Sequence, residues 1–403
     1  MFNKPLKIIN FAVLLQQQRY IVAISFLFYL HNGLSLSDFL LFQSIFYFTG
    51  LIAEIPAGYI GDIFPRKNVL IFSYLLFMIR IIMWIIAPNY FTILAGEILY
   101  GLSKAFYRGV SDGYIYDYLR DKQKTNLMLN KYGKFNFFMS CGSAISCLIG
   151  AWLYKYLGFS ILLGIELFCN SIAVGILFFL PQITQEKKQI TFKAHINRIH
   201  EIVKSTIKNN DLNIYMLYGG ILSGMTSIFV WNFQPFMKNF AIPVYIFGIV
   251  YFINHILRAL GSLNAHKFLN KISLVKTGFL IWGLYLLSLI ILLKASNYDN
   301  IGICISTLIF ICLAIGIQMV FNVGNLSRIH SLIPSDIRAT TSSLNSMLAS
   351  LCSGVFLMLF KILVNRGSTQ YALGIFIILF ASTYFIIRKI SLKKNNKHLY
   401  DTV

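Results

Sequence analysis

Charge is what this sequence has least of. Only 12% of its residues are Asp, Glu, Lys or Arg, against about 25% in ordinary water-soluble domains. Acids are scarcer still, 14 against 35 Lys and Arg. With 57% of 403 residues hydrophobic, the chain carries more apolar side chain than one water-soluble core can bury. A soluble globular domain is excluded, and the bilayer is the solvent implied. Cysteine chemistry is thin as well. Cys141, Cys147, Cys169, Cys304, Cys312 and Cys352 all fall in apolar runs without a C-x-x-C, so they read as buried thiols, neither disulfides nor metal ligands. The seven histidines are scattered, and the nearest pair, His195 and His200, is badly spaced for one helical face. No H-E-x-x-H, nucleophile elbow or phosphate-binding glycine loop occurs, which argues against an enzyme, a cofactor, a metal site or direct ATP drive.

Long apolar runs are what is present. Crossing the hydrocarbon takes about 20 residues of helix, and helix is needed because lipid satisfies no backbone polar group. Runs of that kind cover 11–31, 38–60, 69–88, 90–119, 127–154, 159–180, 212–237, 244–265, 273–293, 300–327, 338–364 and 369–388. The first is interrupted by Gln16, Gln17, Gln18 and Arg19. It lacks a small-residue cleavage site, so it reads as a span and not as a removable leader. The fold class predicted is an all-α integral membrane protein of 12 spans.

The formal charge of +21 is explained by where it sits. With the N-terminus placed in the cytoplasm, 25 of the 35 Lys and Arg fall in cytoplasmic segments, five on the other side and five inside spans. That asymmetry is the positive-inside rule and predicts both termini in the cytoplasm. The basic loops are topology signals that also touch anionic lipid, and no nucleic acid is implied. The most polar internal stretch, 182–211, divides the chain into 1–181 and 212–389, six spans each, with a basic tail over 390–403. Within 192–207, Phe192, Ile196, Ile199, Ile202, Val203 and Ile207 recur at helical spacing, which suggests either an amphipathic helix on the membrane surface or a solvated linker. Two equal halves suggest a duplicated six-helix unit, as secondary transporters often have.

Between the second and third spans, residues 54–67 read EIPAGYIGDIFPRK. Gly58 and Gly61 permit close helix approach, Asp62 closes a span, and Arg66 and Lys67 hold the turn on the basic side. The loop resembles the G-x-x-x-D-x-x-x-R-K signature of the major facilitator superfamily, at that family's usual place. The run DGYIYDYLRD over 112–121 is similar to the family's acidic end of helix 4. The run IPSDIRATTSS over 333–343 is similar to a stretch of its bacterial exporters. The resemblance implies two pseudo-symmetric six-helix bundles, transport by alternating access, and a cytoplasmic gate of Gly58, Gly61, Asp62, Arg66, Lys67, Asp117 and Arg338. There are departures: Pro65 stands where the family loop usually has Gly, the second-half turn GSLNAHK over 261–267 lacks the Asp, and the fifth span has Gly142 and Gly150 but no Pro. That last absence leaves the family's antiporter motif unmatched and weakens the case for proton-driven export.

A charge at the bilayer centre costs at least about 2.5–3.5 kcal/mol, so ionic residues inside spans need a cavity or a partner. They are Arg19, Glu54, Arg80, Glu97, Lys104, Arg108, Asp112, Glu166 and Arg258, with His255 beside the last. In the fourth span Glu97, Gly101, Lys104, Arg108 and Asp112 share one helical arc, with Asp117 on roughly the opposite face. Arg108 and Asp112 are spaced to pair. The stripe either lines a central cavity or knits helices together. In the tenth span Gln318, Asn322 and Asn325 share a face, as substrate hydrogen-bonders or interhelical ones. The substrate cavity expected is Arg19, Glu97, Lys104, Arg108, Asp112, Gln318, Asn322 and Asn325. Because Arg19, Lys104 and Arg108 outnumber the nearest acids, an anionic or amphipathic organic solute is expected. Glu54, Glu97 and Asp112 are the candidates for proton coupling. The whole reads as a monomeric, proton-coupled exporter of a small molecule in the cell inner membrane. Uptake by symport is the alternative, and a membrane enzyme or channel is the competitor from another class.

Overall fold

A computed structural model describes residues 4–124, 127–183, 209–295, 301–333 and 338–393, with isolated positions between 196 and 206. Every regular element among them is helical. The chain divides into two compact units, Met1–Ile202 with Val244–Ile256, and Val203–Pro243 with Leu257–Val403.

In the first unit, α1 (Lys4–Gln16), a 3-10 turn (Val22–Ile24) and α2 (Ser25–His31) replace the single helix expected over 11–31. The interruption falls on Gln16 to Arg19, whose four polar side chains are all buried. Then come α3 (Leu36–Ile63), α4 (Arg66–Ile86), α5 (Tyr90–Asp121) and α6 (Met128–Leu177). Side-chain caps start two of them: Ser35 and Asp38 form a capping box at α3, and Asn89 with Thr92 does the same at α5, satisfying amide groups the first turn leaves free. At 50 residues, α6 would measure about 75 Å if continuous, far more than a bilayer core. It is two spans joined at Gly158, whose positive φ of 69° breaks the helix in a region glycine enters freely.

The second unit holds α7 (Asn210–Asn239), the later part of α8 (Val244–Leu269), α9 (Leu274–Ala295), α10 (Ile301–Ser331), α11 (Arg338–Arg366) and α12 (Thr369–Lys393). Eight described helices are long and apolar enough to cross a membrane, α3, α4 and α6 to α11. At 32 residues α5 is long enough as well, and its polar residues keep it out of that set.

Helix pairing repeats between the units. In the first, α1 packs on α6, α4 on α5, and α4 on α6. In the second, α7 packs on α11, α9 on α10, and α9 on α12. Counted as spans, these are the same partners in each half: first with fifth, third with fourth, third with sixth. Glycines make the closest crossings. A Cβ on Gly101 would meet the Phe46 carbonyl oxygen and Thr49 Cβ, both at 2.8 Å, and one on Gly61 would meet Val110 Cγ2 at 2.9 Å. In the second unit a Cβ on Gly261 would strike the Gly316 carbonyl. The start of α8 belongs with the first unit because Gly248 lets it lie against α6, where a Cβ would meet the Cys147 carbonyl at 2.7 Å and Ala151 Cβ at 2.8 Å.

Of the 192–207 stretch, Ile196, Asn197, His200, Glu201, Val203, Lys204 and Thr206 are described, all helical, with Ile196 exposed and Thr206 buried. Phe192, Ile199, Ile202 and Ile207, on which the amphipathic reading chiefly rests, lie outside the described residues. The same holds for 334–337 of the tenth-to-eleventh turn and for the 394–403 tail.

Candidate functional site

The first unit gathers its interior charges into two groups. The deeper group joins four elements: Arg19 from the break in the first span, Arg80 from α4, Glu97 from α5 and Glu166 from the second half of α6. All four are under 9% exposed. Arg80 reaches Glu97 Oε1 at 3.5 Å, and the Tyr29 hydroxyl donates to the same oxygen at 2.9 Å. The Arg80 guanidinium lies 3.8 Å from the Trp84 ring centre and 4.7 Å from that of Tyr100. Arg19 donates to the Tyr100 hydroxyl and to Gln16 Oε1 at 3.4 Å, and sits 5.3 Å from the Phe77 ring centre. Cation–π contact of this kind is worth about 2 kcal/mol or more when desolvated, which helps two guanidinium groups stay in an apolar interior. Glu166 is buried with Arg80 and Arg19 as its charged neighbours.

The shallower group lies further along α5. Arg108 is exposed, while Lys104 and Asp112 are half-buried. The expected pairing of Arg108 with Asp112 does not form an ion pair: Asp112 accepts from the Tyr132 hydroxyl at 3.3 Å and from Ser111 Oγ at 3.4 Å. Arg108 acts at longer range on both Asp112 and Glu54. Lys104 Nζ is 6.0 Å from the Tyr100 ring centre. The single arc drawn from Glu97 to Asp112 is therefore split, with Glu97 enclosed among four helical segments and Arg108 outside them.

This grouping changes the charge count. Arg80 and Glu166 are intramembrane charges outside the cavity set that the sequence predicts. With them included, four cations (Arg19, Arg80, Lys104, Arg108) match four acids (Glu54, Glu97, Asp112, Glu166). The argument for an anionic solute from unmatched cations loses its premise.

At the α3–α4 turn, Arg66 Nε pairs with Asp117 Oδ2 at 2.6 Å, and Arg120 approaches the other oxygen at 3.5 Å. Lys67 Nζ donates to the Phe178 carbonyl at 2.6 Å, closing the end of α6. Gly113 leaves room for the Arg66 guanidinium, which a Cβ there would strike. Asp62 and Gly58 are exposed, and Asp62 forms no ion pair among the described residues. Pro65 caps α4 with φ −55°, a backbone angle proline holds naturally. Arg338, the first residue of α11, is exposed and belongs to the second unit.

In the second unit, Gln318 Oε1 accepts from Thr226 and from Tyr285 Oη at 3.0 Å, and Thr226 and Tyr285 meet at 2.8 Å. Asn325 Nδ2 donates to the Tyr215 carbonyl at 3.1 Å. Both amides are buried, while Asn322 is exposed. Among the described residues no group of three or more His, Cys, Asp or Glu could hold a metal.

A model of the Major Facilitator Superfamily matches residues 8–357. The chain belongs to the major facilitator superfamily. It is a multi-pass membrane transporter and not an enzyme. Solved structures agree on the fold. A mutant form of the nucleoside transporter NupG superposes with a TM-score of 0.79 at 14% identity, covering 97% of this chain and 100% of that one. A bacterial homologue of the human lysosomal transporter Spinster, inward-facing and unoccupied, gives 0.72 at 12% identity, covering 97% and 98%. A POT family transporter in complex with a thioalcohol-conjugated peptide gives 0.73 at 13% identity, covering 96% of each. No curated protein matches the sequence. In the light of the family, the Arg66–Asp117 pair is the signature loop's basic residue meeting the end of helix 4. In the second half Gly261 keeps the helix crossing while the loop's acid is gone.

Proposed function

We propose that the chain is a secondary active transporter that carries a small organic solute across the inner membrane by alternating access, with proton-coupled export as its direction. Both termini are then cytoplasmic, as the loop charges require. The observation that carries this reading is Arg108, an exposed cation in the middle of a membrane helix whose neighbouring turns are buried. An intramembrane charge in that situation marks a solute path by default. Lys104, Arg108, Glu54 and Asp112 together offer both signs of charge on one stretch of the first unit, which suits a zwitterionic or neutral amphipathic solute better than a bare anion. Asp112 and Glu54, less enclosed than Glu97, are the stronger candidates for carrying the coupling proton. Asn322, exposed on α10, is the amide best able to hydrogen-bond a solute from the second unit. Arg66 with Asp117 serves as a gate element of the first unit together with Asp62, and Arg338 serves as one of the second unit. The protein acts as a monomer.

Proteoliposomes carrying an imposed pH gradient test this reading directly. Screened solutes include nucleosides, a thioalcohol-conjugated peptide and 5-aminolevulinic acid, the compounds associated with the structurally similar NupG and POT family transporters. Uphill movement of at least one solute, abolished by collapsing the gradient and by Arg108→Gln, is expected. Flux that survives both treatments unchanged would remove the coupling and the site together. Uptake by symport is the second reading, distinguished by the sign of the gradient that drives accumulation.

A further inference from the structure

We propose that Tyr132 is a positioning residue for transport: its hydroxyl holds the Asp112 carboxylate off Arg108, so that both charges stay free for a solute. The inference rests on the transporter reading, which uses Arg108 and Asp112 and assigns nothing to Tyr132.

Arg108 and Asp112 stand four residues apart on α5, the spacing at which opposite charges on one helix ordinarily meet. Here they do not. Arg108 is exposed and forms no ion pair among the described residues. The Tyr132 hydroxyl donates to Asp112 Oδ2 at 3.3 Å. Ser111 Oγ lies 3.4 Å from Asp112 Oδ1 and 3.1 Å from the Arg108 carbonyl. A serine hydroxyl has one hydrogen to give, and the nearer acceptor is the carbonyl. Tyr132 is therefore the donor that holds the carboxylate. A hydrogen bond to an ionised group outweighs a partly solvated ion pair between neighbours on one helix, so the tyrosine wins the competition with Arg108.

Tyr132 keeps its place without help from Asp112. Its ring stacks on Phe135, centres 6.5 Å apart and planes 19° from parallel. Phe135 stacks on Tyr107 of α5 at 6.3 Å and 26°, and Tyr107 meets Tyr74 of α4 at 6.1 Å. Tyr74, Tyr107 and Phe135 are buried, and the row ends at the half-buried Tyr132. Packing across three helices thus fixes where the hydroxyl stands. The Tyr107 hydroxyl, one ring further in, is buried and has no partner. The row supplies Asp112 with one donor.

Tyr132→Phe keeps every ring contact and removes that donor. Asp112 is then left with the guanidinium one turn back on its own helix, and the pair that forms neutralises both charges. Kept apart, the two are free to take the opposite ends of a zwitterionic solute.

Peptide-resolved mass spectrometry after brief treatment with phenylglyoxal, on the full chain in lipid nanodiscs, tests this by the rate at which Arg108 is modified. An ion pair shields a guanidinium, so Tyr132→Phe is expected to slow modification of Arg108 by about two- to fivefold. Tyr132→Phe with Asp112→Asn should return it to the wild-type rate. Loss of packing alone would expose Arg108 further and would not be reversed at Asp112. Exposed Arg120 should react alike in every variant. Should Tyr132→Phe not fold, Asp112→Asn alone decides: an unchanged Arg108 rate is expected, because Asp112 does not cover Arg108 when Tyr132 is present. An Arg108 rate indifferent to Tyr132→Phe, or raised severalfold by Asp112→Asn alone, overturns the proposal. Neither readout involves a solute or a gradient. A protein that shows this pattern and moves no solute would sink the transporter reading, and one that transports without it would sink only the role of Tyr132.

Discussion

The two units pair their helices alike and fill them with different chemistry. In the first, Arg19, Arg80, Glu97 and Glu166 meet in the interior among Tyr29, Phe77, Trp84 and Tyr100. In the second, the corresponding depth of α10 and α7 is bridged by neutral groups, Thr226, Tyr285, Gln318 and Asn325. Its own ionic candidate, Arg258, is exposed. Shared pairing with unlike interiors teaches that the pairing depends on shape. Gly61 and Gly101 on one side, and Gly261 on the other, set how close helices come, and the ionic residues were fitted into one copy of that frame. Ion pairs enclosed this way hold structure strongly once made and badly when halved. The first unit should therefore be brittle to single substitutions, and the second tolerant.

The largest effect is expected at Glu97. Glu97→Ala leaves Arg80 buried without its carboxylate, which costs about 3–5 kcal/mol, read as a fall in the detergent-solubilised unfolding midpoint. Arg80→Leu combined with Glu97→Leu should recover most of that loss. A double variant as unstable as the single one would mean the pair is not the source. Next in size is Gly150→Ala, whose new methyl meets the Tyr20 backbone and should cost about 1–3 kcal/mol. Gly164→Ala, in the second half of the same α6, meets nothing and should be neutral or stabilising. In the second unit, Gln318→Leu removes one acceptor from a neutral trio and should cost about 1 kcal/mol or less in the same melt. A loss as large as that at Glu97 would erase the contrast between the units. Smallest in stability is Arg66→Ala, because its pair with Asp117 is partly solvated. About 1 kcal/mol or less is expected, and the signature-loop role shows instead as altered flux in proteoliposomes.

The membrane class, the helical spans and the family were legible because hydrophobicity, charge asymmetry and the EIPAGYIGDIFPRK loop are local signals. The broken first span was visible too, since Gln16 to Arg19 interrupt an otherwise apolar run. The site was only partly legible. Helical spacing groups Glu97 and Arg108 on one arc, but an arc says nothing about which helices close over it. Arg80 and Glu166 were visible as costly charges, yet Arg80 finds its acid 17 residues away in Glu97 and Glu166 has Arg80 and Arg19 as its charged neighbours from other helical segments. Only tertiary packing brings these together. The same holds for Gly142 and Gly150, read as a failed motif when their use is to receive Gln17 and Tyr20. In the second unit, sequence spacing grouped Gln318, Asn322 and Asn325, and packing separated the exposed Asn322 from the two buried amides.

The central claim is that the surface around Arg108 opens to each side of the membrane in turn. In a variant whose native cysteines are replaced and Arg108 is kept, a single Gly109→Cys, exposed and with open space for a side chain, can be challenged with a membrane-impermeant thiol reagent supplied on one side of sealed proteoliposomes at a time, under each polarity of an imposed pH gradient. The account predicts labelling from both sides, with the favoured side switching when the gradient is reversed. Labelling from one side only, whatever the gradient, would contradict it.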